Sequence, residues 1–144
     1  MRVPSEAAGH SRGERALVGI TAALFVLTVL HDLDHVRQAR ALDRELYVVA
    51  IAAMTMLTVT LVLLLRRHVL AELAAMTVGI ATVLGVALVH VAPARSFFSD
   101  SYSAAHADAL SWLIIILMML GGISMALVSL RTARRLQARA PRAD

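Results

Sequence analysis

The sequence predicts an all-α integral membrane protein, a four-helix bundle of up-down-up-down topology with both termini in the cytoplasm. Of its 144 residues, 59% are hydrophobic, and the mean hydropathy of +0.74 is too high for an ordinary soluble domain. Four apolar stretches are long enough to cross a bilayer, and the short turns between them favour antiparallel neighbours. The arginines gather in the tails and turns, as they commonly do beside membrane spans.

The first two predicted spans differ in how they end. The first covers residues 16–38, because its apolar part ends at Leu30 and a polar turn extends the helix through Gln38. The second covers residues 46–65, a stretch of twenty residues without any charged side chain. Both are therefore long enough to cross the hydrocarbon core of a bilayer.

The third predicted span, residues 69–91, carries one charged residue, Glu72, and ends before Pro93, because proline cannot continue a helix. The fourth span covers residues 108–130 and follows a polar loop. The expected organisation is a flexible cytoplasmic N-terminal tail (residues 1–15), a transmembrane domain (residues 16–130) and a basic cytoplasmic C-terminal tail (residues 131–144).

The composition excludes several kinds of chemistry. The sequence has no cysteine, which rules out disulfides, thiolate metal ligands and thiol redox reactions. It also has no lysine, so a Schiff base cannot form on a side chain. The net charge of +4 comes from arginines beside apolar spans, where they contact anionic lipid and not nucleic acid. The expected partners are the lipid bilayer of the cell membrane and further copies of the chain or the subunits of a larger membrane complex.

A polar segment directly follows the apolar part of the first span and begins with His31 and Asp32. His31 and His35 are four residues apart, so they share one helix face, and Asp34 falls on the same face. A stripe of small residues on the third span turns His90 into the bundle. Neutral imidazole suits zinc and iron, and two histidines with one carboxylate leave open positions on a non-haem iron. The predicted metal ligands are His31, Asp34, His35 and His90, with Asp32, Asp100, His106 and Asp108 as second candidates.

Four functions are compatible with these residues. The first is a metal-dependent membrane enzyme or a metal-handling protein whose site lies at the extracytoplasmic face. The second is a non-catalytic accessory or assembly subunit, in which the polar cluster only fixes helix packing. The third is a proton-coupled transporter, although no ionisable residue lies mid-membrane. The fourth is a haem b protein with His31 or His35 opposite His90, for which a content of 4% aromatic residues gives little support.

The distribution of arginine predicts the orientation of the chain. Ten arginines lie in the two tails and the turn at Arg66, and four lie on the other side, so the positive-inside rule places both termini in the cytoplasm. Reporter fusions at Asp144 and near Ser101 should therefore report opposite sides, with Asp144 inside. A C-terminus found outside would move the predicted metal ligands to the cytoplasmic face.

Overall fold

The computed structural model describes residues 12–38, 44–92, 101–103 and 106–139, and the secondary structure within these ranges is helical. The helices are α1 (Arg12–Arg37), α2 (Arg44–Leu65), α3 (Ala71–Val86) and α4 (Ala109–Arg139), and a π-helical turn (Ala87–Val91) extends α3. Each of the four helices is long and apolar enough to cross a membrane, where α3 and its π-helical turn count as one helix. The predicted number and character of the helices are confirmed, whereas their topology and orientation stay predictions.

The helices differ from the predicted spans mainly at their ends. α1 begins at Arg12, inside the predicted N-terminal tail, and α4 continues to Arg139, beyond the predicted end of the fourth span at residue 130. The extension of α4 consists largely of arginine, alanine, leucine and glutamine, which are good helix formers whether or not they are apolar. Hydropathy alone therefore predicts helices that are too short, because it ends them where the apolar residues end.

α1 turns one narrow stripe of side chains into the bundle. The stripe repeats at alternating intervals of four and three residues, the period of a coiled-coil seam, and comprises Leu17, Thr21, Leu24, Thr28, His31 and His35. The hydroxyls of Thr21 and Thr28 donate to backbone carbonyls of their own helix at 2.8 and 2.9 Å. The seam is therefore apolar until it reaches the two histidines, which lie between the helices.

α3 and α4 approach most closely where two glycines face each other. A Cβ atom added to Gly79 would lie 2.6 Å from the carbonyl oxygen of Gly122 and 2.9 Å from the backbone nitrogen of Ala126. A Cβ atom added to Gly122 would lie 2.7 Å from the carbonyl oxygen of Gly79. Only small residues allow backbones this close, as is usual between membrane helices.

α2 packs least tightly and the outer surface of the bundle is apolar. Only Leu57, Thr60 and Leu64 of α2 are buried, and 17% of its most apolar window lies inside the structure. Large hydrophobic side chains such as Ile51 and Leu73 are more than half exposed. Soluble monomers rarely expose apolar surface on this scale, so the surface indicates a membrane protein.

The close approach of α3 and α4 predicts a cost for any side chain at Gly79. Gly79→Ala should lower the free energy of unfolding by about 1–3 kcal/mol, because the backbone of α4 cannot move away from the new methyl group. The matched control is Gly19→Ala, where an added Cβ meets nothing within 4 Å. The control should be neutral or slightly stabilising, since alanine favours a helix more than glycine does. Thermal unfolding of the detergent-solubilised proteins measures the stability of both variants. Equal stability of Gly79→Ala and Gly19→Ala would contradict the close packing of α3 against α4.

Candidate metal site between the ends of α1 and α3

Three buried histidines meet where the last turns of α1 and α3 come together. His31 and His35 belong to the seam of α1, and His90 belongs to the π-helical turn after α3. The ring of His31 makes edge contacts with the rings of His35 and His90, at centroid distances of 4.6 and 4.7 Å. One ligand atom from each ring lies within 4.8 Å of the others, so the three side chains could hold a metal ion.

The Nε2 atoms of His31 and His35 are 3.3 Å apart. In a tetrahedral site with metal–nitrogen bonds of about 2.0–2.1 Å, two ligand nitrogens are about 3.3 Å apart. The Nε2 atoms of His31 and His35 are therefore already as far apart as two ligands of one metal ion. Without an ion, the same distance is a long hydrogen bond between one protonated and one unprotonated nitrogen.

The π-helical turn sets the position of His90. Its widened geometry is closed by the backbone N–H of Ala92, which donates to the carbonyl oxygen of Ala87 at 2.8 Å. Such a turn holds one more residue than an α-helical turn and is found most often at functional sites. The backbone carbonyl of His90 accepts a hydrogen bond from the N–H of Tyr102 at 3.0 Å, which ties the turn to the following loop.

Tyr102 covers the three histidines and is the site residue that the sequence analysis missed. Its side chain is fully buried, and its ring lies 4.6 Å from the ring of His90. The phenol oxygen lies 3.2 Å from Nδ1 of His31, within hydrogen-bonding distance. Tyr102 is one of three aromatic residues in the loop before α4, and nothing in the sequence reveals its contact with a residue 71 positions earlier.

Asp34 takes part in a polar junction between α1 and α4. Its Oδ1 accepts a hydrogen bond from Nε of Arg37 at 2.8 Å, and its Oδ2 accepts one from Nε2 of Gln38 at 2.6 Å. The hydroxyl of Ser111 on α4 also lies 2.6 Å from Oδ2. Both oxygens of this buried carboxylate are thus engaged, and Asp34 is not among the mutually close ligand atoms.

Asp108 completes the junction from the position directly before α4. Its Oδ1 accepts a hydrogen bond from the backbone N–H of Ser111 at 3.1 Å, which makes it the N-cap of the helix. Its Oδ2 lies 2.7 Å from the guanidinium of Arg37. The Ser111 N–H, and after it the Arg37 guanidinium, lower the pKa of Asp108 from 3.8 to about 2. The contribution of the ionised Asp108 carboxylate to this junction is therefore fully present above pH 3.8 and is lost as the pH falls through about 2.

Neither Asp32 nor His106 belongs to the close group of ligand atoms. Asp32 is half-buried and lines the same cavity as His31 and His35, but its carboxylate is not part of the close group. His106 is exposed and has a left-handed backbone conformation with φ of 52°. Asp100 lies outside the described residues. Of the predicted ligands that the structure describes, only His31, His35 and His90 bring their ligand atoms together.

An apolar cavity of about 300 Å³ ends at the histidines. It lies among α1, α2 and α3, and its walls are mainly alanine, valine, leucine and methionine side chains. Its volume is at the lower end of the range of small-molecule binding sites. The site therefore combines three metal-binding side chains with adjoining space for a ligand.

The junction between α1 and α4 predicts a specific loss of stability. Ser111→Ala removes the hydroxyl between Asp34 and Asp108 and leaves a buried carboxylate oxygen with one partner fewer. The free energy of unfolding should fall by about 1–3 kcal/mol. Ser124→Ala makes the same change at an exposed position of α4 and should stay within about 0.5 kcal/mol of wild type. Equal melting curves for the two variants would show that the junction does not stabilise the protein.

Comparison with known proteins adds no family to these observations. No protein-family model, no curated protein and no solved structure matches the chain. Its function is therefore inferred from the geometry of the site.

Proposed function

We propose that the protein is a multi-pass membrane enzyme of the cell membrane that binds one divalent transition metal, zinc or iron, on His31, His35 and His90. The observation that carries the proposal is the mutual approach of three buried ring nitrogens, one from each histidine, to within 4.8 Å. Neutral imidazole is a preferred ligand of both metals. In the predicted orientation, the site lies at the extracytoplasmic face.

The number of available ligands supports a catalytic site over a structural one. A structural zinc site is closed by four protein ligands, whereas a catalytic site uses three and keeps the fourth position for water or substrate. The carboxylate of Asp34 would be the natural fourth ligand, but Arg37, Gln38 and Ser111 engage both of its oxygens. The three histidines line the cavity, and a metal held by them would act as a Lewis acid or supply a hydroxide for hydrolysis.

The contact between Tyr102 and His31 also supports a metal site. A metal-binding histidine usually uses its second ring nitrogen to hydrogen-bond a neighbouring acceptor, which fixes the tautomer and the ring orientation. If Nδ1–H of His31 donates to the phenol oxygen, the unprotonated Nε2 faces His35 and would be the atom that binds the ion. Tyr102 thus acts as a positioning residue.

The ring contacts favour a single ion over haem b. A haem held from both faces needs space for a planar macrocycle between its two axial histidines. The rings of His31 and His90 are in edge contact at 4.7 Å, and Tyr102 lies against His90 at 4.6 Å. A macrocycle would have to force α1 and α3 apart, so we expect the purified protein to be colourless or nearly so.

Elemental analysis of purified protein tests the proposal. Wild type should carry about one zinc or iron per chain, and His35→Ala and His90→Ala should lose most of it, because the ligands act together. The matched control is His68→Ala, which changes an exposed histidine in the turn between α2 and α3 and should keep the metal.

Thermal unfolding gives a second measurement on the same proteins. Metal binds only the folded form, so saturating metal at about 100 times its dissociation constant contributes about 2.7 kcal/mol, which chelation removes. Chelation should therefore lower the melting temperature of wild type and His68→Ala but leave His35→Ala unchanged. If wild type contains no metal and melts identically with chelator, the proposal fails and the accessory-subunit hypothesis takes its place. A strong Soret band that His90→Ala abolishes would identify haem b instead.

A further inference from the structure

The lining of the cavity beside the histidines extends along the helix axes. On α2 it includes residues from Leu46 to Leu57, and on α3 with its π-helical turn it includes residues from Val78 to His90. At a rise of 1.5 Å per residue, these stretches are about 16 and 18 Å long. A volume of about 300 Å³ bordered over that length suits a single hydrocarbon chain lying along the helix axes.

The polar groups of this cavity lie at one end. Thr28 and Thr82 line it, but their hydroxyls donate to backbone carbonyls of Leu24 and Val78 at 2.9 and 2.8 Å. Away from the end of α1, the walls are formed by apolar side chains and by Gly85. The histidines and Asp32 lie together at the end of the cavity next to the C-terminal end of α1. An occupant must therefore be apolar along its length with one polar head.

The wall formed by α2 also reaches the outer surface of the bundle. Val49 and Met56 line the cavity, yet 42% and 39% of their surfaces are exposed. Ala81 of α3 lines the cavity and is exposed as well. The gap between α2 and α3 is thus flanked by residues that face both the cavity and the lipid, which gives a membrane-dissolved molecule a route to the site.

We propose that this cavity binds the single hydrocarbon chain of a fatty acyl lipid, with the oxygen atoms of its acyl head at the open position of the metal. The inference rests on the proposed function for the head contact and on the shape of the cavity for the chain. An acyl head offers the oxygen ligand that a three-histidine site lacks, and polarising such a carbonyl is chemistry that a bound metal supplies. The substrate class is therefore a long-chain carboxylic acid or its ester.

Photolabelling tests the chain contact. The probe is a palmitic acid analogue with a diazirine in mid-chain, added to wild-type protein in phosphatidylcholine vesicles, and the labelled residues are mapped by mass spectrometry. We expect labels on cavity-lining residues of α2 and α3, such as Ala53 and Thr82, that unlabelled palmitic acid competes away. Equal labelling of outward-facing residues such as Leu33 and Leu73, without competition, would overturn the inference.

Two glycine variants make this test specific. Gly85 lines the cavity, and a Cβ atom added there meets nothing within 4 Å, so Gly85→Leu fills the cavity without straining the backbone. It should reduce cavity labelling several-fold. Gly19→Leu is the matched control, because its added Cβ is equally unobstructed and lies outside the cavity. The control should label as wild type does, and unchanged labelling of Gly85→Leu would contradict the proposed binding mode.

Chelation tests the head contact and separates the two proposals. Removing the metal should weaken retention of the palmitic acid probe several-fold and leave a matching diazirine alkane unaffected. Metal content is measured on the same samples, and both glycine variants should keep about one ion per chain, because their histidines are intact. If the protein as purified contains no metal and its cavity is nevertheless labelled, the metal site and the head contact are overturned but the chain site is not. Bound metal without cavity labelling would overturn the lipid inference alone.

Discussion

The burial of three imidazole rings in an otherwise apolar bundle is the constraint around which the structure is organised. A polar group taken out of water is costly unless it is hydrogen-bonded or binds an ion. His31 meets this condition on both ring nitrogens, through His35 on one side and Tyr102 on the other. A lipid-facing position would leave these nitrogens in hydrocarbon, so the histidines favour the arrangement of α1 and α3 that brings them together.

α4 fixes the relative depth of the two helices that carry the histidines. It contacts α3 through Gly79 and Gly122, where neither backbone leaves room for a Cβ atom on the other. It contacts α1 through the junction of Asp34, Arg37 and Ser111. Because both contacts are made to one continuous helix, the distance between His31 and His90 depends on α4 even though α4 supplies no ligand. The geometry of the site is thus set by residues outside it.

The sequence predicts those features of the site that follow from helical periodicity. The seam of α1 and the common face of His31 and His35 follow from side chains three and four residues apart, and the structure has them there. The direction of His90 was inferred from a stripe of small residues, but the π-helical turn that sets its position has no sequence signature of its own. Tyr102 could not be predicted, because a contact between a loop and a distant helix has no period.

Asp34 shows a different limit of sequence reasoning. Spacing predicts that it lies on the face of His31 and His35, but spacing does not tell which partners compete for its oxygens. Arg37 and Gln38 are near it in sequence, whereas Ser111 comes from α4, and only the tertiary packing makes the three act together. The junction engages both oxygens of the predicted fourth ligand, and this is the reason for proposing a site with an open position.

The four helices divide into a fixed part and a loosely held part. α1, α3 and α4 are joined by the glycine contact and the polar junction, whereas α2 buries three side chains and lines the cavity with small residues such as Ala50 and Ala53. Segments with few buried contacts open at lower free-energy cost than the rest of a protein. Movement of α2 would widen the path from the lipid without shifting the three histidines, because no ligand lies on it. The proposed site needs both properties, because its metal ligands would have to keep their geometry while a long apolar substrate enters from the side.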